Sequence, residues 1–260
     1  VRSVDESFQP EDNPSETSIY IGENIAIQSS DVSIKLEKGT NQNILIVGGK
    51  QNIAEELEVC ILFTQSVAYN PQKYFVSFYN FMRRDDEIQG AFEQITRITG
   101  YMAQMAEYAY TESEVFDSLT QWKELIESRR SEGCDYPNAF LYFTAFQFGH
   151  MFFMNGSRAS DCSKLLKYIL ENGPTVGVFT ILQIDSYDSL GKRLEMPLKL
   201  FNHRIALQMS EASSTKVVNS SAASKLTDEN NPASAHRALY FNENNSSIVK
   251  FKPYKLWQLQ

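Results

Sequence analysis

The residues whose types and spacing favour phosphate binding lie where a buried strand is predicted to meet a helix. The run NILIVGG is aliphatic and ends in two glycines, which is typical of a strand buried on both faces in a parallel sheet. A helical pattern follows over 52–68. Glycines in such a turn let backbone N–H groups point at an anion, and the helix N-terminus adds a favourable dipole. We therefore expect a nucleotide-binding position at Gly48, Gly49, Lys50, Gln51 and Asn52.

This turn departs from the phosphate-loop pattern at the places that carry the chemistry. The pattern is GxxxxGK followed by Ser or Thr, with the lysine on the β- and γ-phosphates and the hydroxyl on magnesium. Counted from the first glycine, the places of the second glycine, the lysine and the hydroxyl residue hold Ile53, Ala54 and Glu55. Lys50 lies inside the loop and could contact an anion. No cofactor is expected, and ATP with magnesium only if the altered loop still binds nucleotide.

A second test concerns the acidic pair that nucleotide motors of this architecture carry at the end of a buried strand, where it binds magnesium and polarises water. The run AFLYFTAFQFG predicts such a strand over 139–149. Thr144 and Ala145 stand at the place of the acidic pair, and neither side chain can bind magnesium as a carboxylate. The sequence therefore predicts a degenerate site with no catalytic residue and no metal ligand.

These positions depend on a chain that alternates strands with helices. Apolar runs predict strands over 42–49, 73–81, 139–149 and 178–184, and helical patterns connect them over 52–68, 86–110, 113–133 and 160–177. Strands separated by helices of this length imply parallel crossovers, so the predicted fold class is α/β with a mainly parallel sheet covered by helices. Further runs predict a strand over 203–209, a short helix near 217–226, and antiparallel additions at the N- and C-terminal ends from the hairpins 18–27/32–38 and 237–242/247–254.

Composition bounds the class of protein. The 260 residues include 24 Lys and Arg against 32 Asp and Glu, a net charge of −8, and 42% are hydrophobic. These values are typical of a globular domain, and the negative net charge disfavours strong DNA binding by this domain alone. Residues 1–17 are expected to form a flexible arm or linker, and 18–260 a single domain.

Location can be predicted from what the sequence does not contain. It has no apolar run long enough to insert in a membrane, and its three cysteines have no metal-ligand spacing. We expect a cytoplasmic segment, or the cytosolic part of a membrane-anchored protein. Because the chain begins at Val1 with no Met, we also expect it to be a segment of a longer polypeptide.

The order of these motifs resembles one known family. The series IYIGENIAI, NILIVGG, FLYFTAFQF, KYILENGPTVGVFTILQID, LFNHRIALQMS, NSSAASKL and IVKFKPY is similar to the motor domain of FtsK/SpoIIIE-like ATPases, which have a RecA-like, HerA-type fold. The resemblance covers most of 18–254, and LxxILxxGPxVGVFTIL is its most specific part. Two family features differ: the sensor strand ends in IDSY (184–187) instead of Thr-Gln-Arg-Pro, and TDENNPASAH (227–236) replaces a Gly-rich turn.

The resemblance implies a role in a translocase. It implies that this is a degenerate domain, a pseudo-ATPase at the C-terminal end of a larger bacterial translocase, which serves as its structural or regulatory module. Its partners would be other ATPase domains of the same or a neighbouring chain in an oligomer, with DNA or a secreted protein as cargo. By the same analogy, Arg204 is a candidate contact with a neighbouring subunit.

Two alternatives remain open at the level of the sequence. One is an active ATP-dependent DNA translocase domain whose loop uses Lys50 in an unusual pose. The other is a partner- or substrate-binding module of a type VII secretion motor, which would bind through the loop 227–236 or the terminal KFKPYKLWQLQ.

Overall fold

A computed structural model describes most of the chain. The described residues are 16–25, 30–48, 53–68, 75–82, 111–133, 136–155, 158–188, 190, 196–227 and 236–255. Several regions singled out in the sequence lie outside them: most of the predicted arm, the turn residues 49–52, the predicted helical stretch 86–110, nearly all of the loop 227–236 and the last five residues of the terminal KFKPYKLWQLQ. The first strand begins at Glu16, two residues before the predicted start of the domain.

One nine-stranded sheet runs through the described residues, and a separate pair of two-residue strands lies beside it. In chain order the strands are β1 (Glu16–Asn24), β2 (Asp31–Glu37), β3 (Ile44–Val47), β4 (Phe75–Asn80), β5 (Ala139–Thr144), β6 (Met154–Asn155), β7 (Arg158–Ala159), β8 (Val178–Ile184), β9 (His203–Ala206), β10 (Ala238–Asn242) and β11 (Ser247–Pro253). The order across the large sheet is β2-β1-β11-β10-β9-β3-β8-β5-β4, and β6 pairs with β7.

The centre of the sheet is parallel, as predicted. Strands β9, β3, β8, β5 and β4 pair in parallel, and β3 lies between β8 and β9. Every residue of β3, β5 and β8 is buried, which explains why these strands read as continuous apolar runs. Strand β8 separates β3 from β5, so the glycine turn and the end of β5 lie two strands apart along the same edge.

The two predicted hairpins extend this core in antiparallel sense. β1 pairs with β2, β10 pairs with β11, and β1 also pairs with β11, so the first and last described strands are neighbours in the sheet. Side chains on β2 alternate between exposed and buried positions, as expected of a strand with one solvated face. Gly22 permits the close approach of β1 and β11, because a Cβ there would collide with the backbone of Lys252.

Helices cover both faces of the sheet. They are α1 (Ile53–Ala68), α2 (Glu112–Glu132), α3 (Phe146–Gly149), α4 (Asp161–Asn172) and α5 (Glu211–Val218). Short 3-10 turns follow at His150–Phe153, Gly173–Val176, Leu198–Leu200 and Ser221–Lys225. Helix α1 packs on one face with Ile44 and Ile46 of β3, while α2, α4 and α5 pack on the other with Leu45 and Val47. The alternation of side chains along β3 therefore supplies both cores.

Local signals explain where α2 begins and ends. The Thr111 hydroxyl accepts a hydrogen bond from the Glu114 N–H, and the Glu114 carboxylate accepts one from the Thr111 N–H, which together form a capping box. Gly133 ends the helix with a φ of 64°. On the buried side of α2, the Trp122 indole N–H donates to the Ser77 hydroxyl of β4 at 3.1 Å.

The predicted strand over 139–149 is shorter than expected. It ends at Thr144, because Ala145 adopts a left-handed conformation with a φ of 53° and the chain turns into α3. The aromatic residues after the turn are buried there instead: the rings of Phe146 and Phe153 pack 4.8 Å apart in the core. A continuous aromatic run does not by itself distinguish a strand from buried helical turns.

Candidate functional site

The carboxyl ends of the parallel strands meet at one edge of the sheet, which is where ligands bind in open α/β folds. Gly48 leaves β3 with a φ of 84°, and its N–H donates to the Ile184 carbonyl of β8 at 3.1 Å. A Cβ on Gly48 would lie 3.0 Å from the Met209 methyl group. The predicted strand and helix are therefore present, while Gly49, Lys50, Gln51 and Asn52 between them lie outside the described residues and their role stays a prediction.

Helix α1 begins directly after the turn, at Ile53. Ala54, in the first turn of α1, is buried in the core between this helix and the sheet. The place that the phosphate-loop pattern gives to lysine therefore holds a methyl group inside the domain. In the sequence, the next place holds Glu55, where the phosphate-loop pattern has a hydroxyl residue.

The backbone groups at the end of β5 form hydrogen bonds within the chain. Thr144 is buried, and its carbonyl accepts the Phe81 N–H at 3.0 Å. The Ala145 N–H donates to the side-chain Oε1 of Gln183, on β8, at 2.6 Å. The two places expected for an acidic pair thus hold a buried threonine and an alanine in a left-handed turn, and a neutral amide from the neighbouring strand binds that turn.

A carboxylate that the sequence reading did not single out as a site residue lies at the same edge. Asp185 is exposed and follows Ile184, whose carbonyl binds Gly48. Its N–H donates to Oε1 of Gln147 at 3.3 Å. The signal for it was available, because Asp185 is the first polar residue after the buried run 178–184 and must emerge beside the other strand ends. A second acidic residue, Asp188, forms an ion pair with Lys216 at 2.8 Å.

Gln208, at the end of β9, connects this edge to the following 3-10 turn. Its Nε2 donates to the Ser224 carbonyl at 2.9 Å, and its Oε1 accepts the N–H groups of Leu226 and Thr227, both at 3.0 Å. The Gln208 amide therefore holds the segment 221–227 against the sheet through three hydrogen bonds.

The structure places Arg204 inside the domain. The side chain is about 4% exposed and lies over the Phe241 ring, with 5.3 Å between the guanidinium carbon and the ring centroid. It forms an ion pair with Glu243, and its N–H groups donate to the carbonyls of Phe201, Val217 and Leu198. Burial lowers the pKa of Arg204, and Glu243 acts in the opposite direction. These bonds tie Arg204 to its own chain, and its contact with a neighbouring subunit stays a prediction.

His203 is also satisfied within the chain. Its Nε2 lies 2.9 Å from Oε1 of Gln42, and its Nδ1 lies 2.8 Å from the Tyr240 hydroxyl. Because Gln42 Oε1 can only accept, the proton is on Nε2, and Tyr240 donates to Nδ1. Burial lowers the pKa of His203 to about 4, so the ring is neutral at pH 7. This histidine has no free nitrogen with which to act as a general base.

Within the part of the chain that the structure describes, His, Cys, Asp and Glu side chains form no group of three that could hold a metal ion. Among the helices of the described ranges, none combines the length and the hydropathy of a membrane span.

Known structures share this fold, although no protein-family model and no curated protein sequence matches the chain. EssC (ATPases 2 and 3) from Geobacillus thermodenitrificans has a TM-score of 0.66 at 14% identity, covering 97% of this chain and 48% of that chain. The pCW3 conjugation coupling protein TcpA, in monomer form with ATPγS, has a TM-score of 0.64 at 12% identity, covering 97% and 69%. Thermomonospora curvata EccC (ATPases 2 and 3), in complex with a signal sequence peptide, has a TM-score of 0.57 at 11% identity, covering 92% and 42%.

These similarities define the class of fold. The chain has the RecA-like ATPase fold of these proteins, so the predicted resemblance to FtsK/SpoIIIE-like ATPase domains is confirmed at the level of the fold. The chain spans less than half of the EssC and EccC chains that it matches.

Proposed function

We propose that the chain is a degenerate FtsK/SpoIIIE-like ATPase domain that acts as a structural or regulatory module of a multi-domain DNA or protein translocase. The observation that carries the proposal is the end of β5, where Thr144 and Ala145 replace the acidic pair and the Gln183 amide binds the Ala145 N–H. The domain would keep the RecA-like scaffold beside an active ATPase domain of the same or a neighbouring chain, without turning over ATP itself.

The physical reason is the loss of charge complementarity at two separate places. Phosphoryl transfer depends on positioning and on cations that neutralise the charge of the phosphates, with magnesium held by a hydroxyl and a carboxylate. Ala54 and Glu55 remove the lysine and the hydroxyl, and Thr144 and Ala145 remove the carboxylate. Each loss alone would reduce catalysis, and together they leave the metal with neither of its usual protein ligands.

Steady-state ATP hydrolysis by the 260-residue chain tests this proposal. We expect no turnover above background, with or without DNA, and no difference between the chain and its Lys50→Ala variant. Turnover that Lys50→Ala abolishes would contradict the proposal and support an active ATPase domain.

The active-ATPase alternative has one specific observation in its favour, the exposed carboxylate of Asp185 at the edge where Gly48 begins the turn. If Asp185 served as the acidic ligand, Asp185→Asn would reduce any hydrolysis as strongly as Lys50→Ala. We expect both variants to be indistinguishable from the unmodified chain.

A second candidate is a partner-binding module of a type VII secretion motor. The similarity to EccC, whose structure includes a signal sequence peptide, favours it, as do two exposed apolar side chains, Phe148 at 43% and Met151 at 65%. Pull-downs with chains lacking either 227–236 or the terminal KFKPYKLWQLQ test this candidate. Interactions that survive both deletions would exclude these segments as the binding sites.

A further inference from the structure

Exposed apolar side chains are grouped on one face of the strand pair β1 and β11. Among the described residues, three of the six exposed large apolar side chains lie there: Tyr20 at 45%, Ile25 at 44% and Ile248 at 40%. Ile19 and Ile21, on either side of Tyr20, are buried in the core with α1, so Tyr20 points to the opposite face. Apolar groups that share one exposed face indicate an interaction surface.

Two lysines lie on the same face, between Tyr20 at one end and the two isoleucines at the other. Lys250 and Lys252 alternate with the buried Phe251 and Pro253, and the Ile25 N–H donates to the Lys250 carbonyl at 3.2 Å. Among the described residues, neither lysine takes part in an ion pair.

The acidic groups nearby leave this row of β11 positively charged. Glu23 is the cross-strand partner of Lys252 and can offset one of the two charges. Asp31, which pairs with Glu23 from β2, accepts a hydrogen bond from the Tyr254 hydroxyl at 2.9 Å. Glu23 and Asp31 lie on β1 and β2, so negative charge lies on one side of the face and positive charge on the β11 side. An acidic segment would therefore bind over β11.

A further lysine adds to the positive charge at the end of β11. Burial lowers the pKa of His236; Lys255 lowers it further, Glu56 raises it and Lys252 lowers it. Lys252 and Lys255 therefore act on the same neighbour, although they are three positions apart in the chain.

The chain contains a segment of matching character next to this face. Residues 1–15 lie outside the described residues and directly precede β1, which begins at Glu16. Their side chains carry one arginine against Asp5, Glu6, Glu11 and Asp12, a net charge of 1 − 4 = −3, and Phe8 is their aromatic residue. This N-terminal segment 1–15 thus combines negative charge with an apolar ring.

The length of this segment is sufficient for it to fold back over the face. Lys252 is opposite Glu23, about 24 Å along β1 from Glu16. The stretch from Asp5 to Glu16 spans up to about 36 Å when extended, so Asp5 and Glu6 can reach Lys252 and Lys250. Tyr20 lies about 14 Å along β1 from Glu16, within the reach of Phe8.

We propose that the N-terminal segment 1–15 docks on the exposed face of β1 and β11, with Asp5 and Glu6 on Lys250 and Lys252 and with Phe8 beside Tyr20. An acidic peptide fits this face better than a nucleic acid does, because Ile25 and Ile248 offer aliphatic surface where bases would need aromatic rings. The segment is then part of the surface of the domain and not the linker that its composition predicts. The contact does not depend on the nucleotide edge or on the proposed function.

Cleavage of the 260-residue chain by a glutamate-specific endopeptidase tests the contact, because the segment contains Glu6 and Glu11. We expect Lys250→Gln combined with Lys252→Gln to speed cleavage after these residues by at least about threefold at low ionic strength. High salt should bring the unmodified chain to the same faster rate. Lys164→Gln combined with Lys167→Gln, on α4, is the matched control and should leave the rate unchanged.

Equal cleavage rates in all three chains would overturn the proposal. That result is expected if the terminal residues 256–260 or a separate partner cover the face. Melting temperatures of the variants, which should match that of the unmodified chain, ensure that faster cleavage does not reflect unfolding.

Cross-linking with a carbodiimide, which joins a carboxylate to a neighbouring amine, tests the contact without any substitution. We expect links from Asp5 or Glu6 to Lys250 or Lys252 in the monomeric fraction, identified by mass spectrometry. Links that occur only in the dimeric fraction would show that the segment docks on a second copy of the chain, and would overturn the proposal. Links to Lys164 and Lys167 that are equally frequent would overturn it as well, because they would reflect unspecific contact.

Discussion

The two ends of the parallel strands carry polar groups in opposite states. At the carboxyl ends, where the fold would bind a nucleotide, two polar side chains are bonded within the chain: Gln183 binds Ala145, and Gln208 binds the segment 221–227. At the amino ends of β5 and β8, the Arg129 Nε and the Asn138 Oδ1 are buried without partners. The two ends therefore differ in whether these polar groups have partners within the chain.

The largest expected effect concerns Arg204, the buried arginine whose partners lie within the chain. Arg204→Ala removes bonds to three carbonyls and leaves Glu243 without its cation. We expect a loss of about 3–5 kcal/mol in the free energy of unfolding, measured by denaturant titration. Arg130→Ala, on an exposed arginine, should change it by less than about 0.5 kcal/mol. If Arg204→Ala costs as little as Arg130→Ala, the buried hydrogen bonds and the ion pair of Arg204 do not stabilise the domain.

The second prediction is a pH dependence of stability from His203. Its pKa is about 4 in the folded chain, against a usual value of 6.5, so the unfolded chain binds the proton first as the pH falls. Stability should therefore decrease between pH 6.5 and pH 4, by about 3 kcal/mol in total, since one pKa unit corresponds to about 1.4 kcal/mol.

Unfolding titrations at several pH values measure this dependence. His203→Asn, which cannot titrate, should lose this part of the slope while other groups continue to contribute. An unchanged slope in the variant would mean that His203 is not buried as described.

A smaller effect is expected where Gln183 closes the end of β5. Gln183→Leu keeps the volume but leaves the buried Ala145 N–H without an acceptor, which should cost about 1–3 kcal/mol of unfolding free energy. Gln147→Leu is the matched control, because its bond at the same edge goes to the N–H of the exposed Asp185. Equal small costs for both variants would show that the Gln183 bond does not hold this edge closed.

The smallest expected effect concerns Gly48, where a side chain would meet both an unfavourable backbone conformation and the Met209 side chain. Gly48→Ala imposes a side chain at a φ of 84° and against Met209, and should cost about 1–2 kcal/mol. Gly133→Ala shares the left-handed backbone but has no atom within 4 Å of the new Cβ, so it should cost less. Thermal melts of both variants provide the comparison, and a larger cost at Gly133 would contradict the close packing of Met209 on the turn.

Much of the fold could be predicted because its signals are local. The run before Gly48 is apolar throughout since β3 is buried on both faces, and α1 places Leu57, Ile61 and Leu62 in the core. The end of β5 was predicted wrongly, because aromatic residues that continue a strand pattern instead turn under the core after Ala145. That turn depends on Gln183, 38 residues away, which local sequence does not show.

The site was harder to predict than the fold. The departures from the phosphate-loop pattern and from the acidic pair were predicted from spacing alone. The burial and the partners of the two arginines could not be predicted. Arg204 binds the Val217 carbonyl and Glu243, and Arg129 binds the Val176 carbonyl, and these partners are distant or separate in the sequence. In sequence, Arg129 lies in a polar helical stretch and Arg204 precedes an apolar run, and neither pattern identifies the partners of the side chain.

Calorimetric titration of the 260-residue chain with ATP and ADP, with and without magnesium, tests the central claim most directly. The account predicts no heat of binding at millimolar nucleotide, because the lysine, the hydroxyl and the carboxylates that bind Mg-ATP are absent from their places. Clear binding at micromolar nucleotide would contradict it, and would mean that the altered turn after Gly48 still binds phosphate and that the domain senses nucleotide.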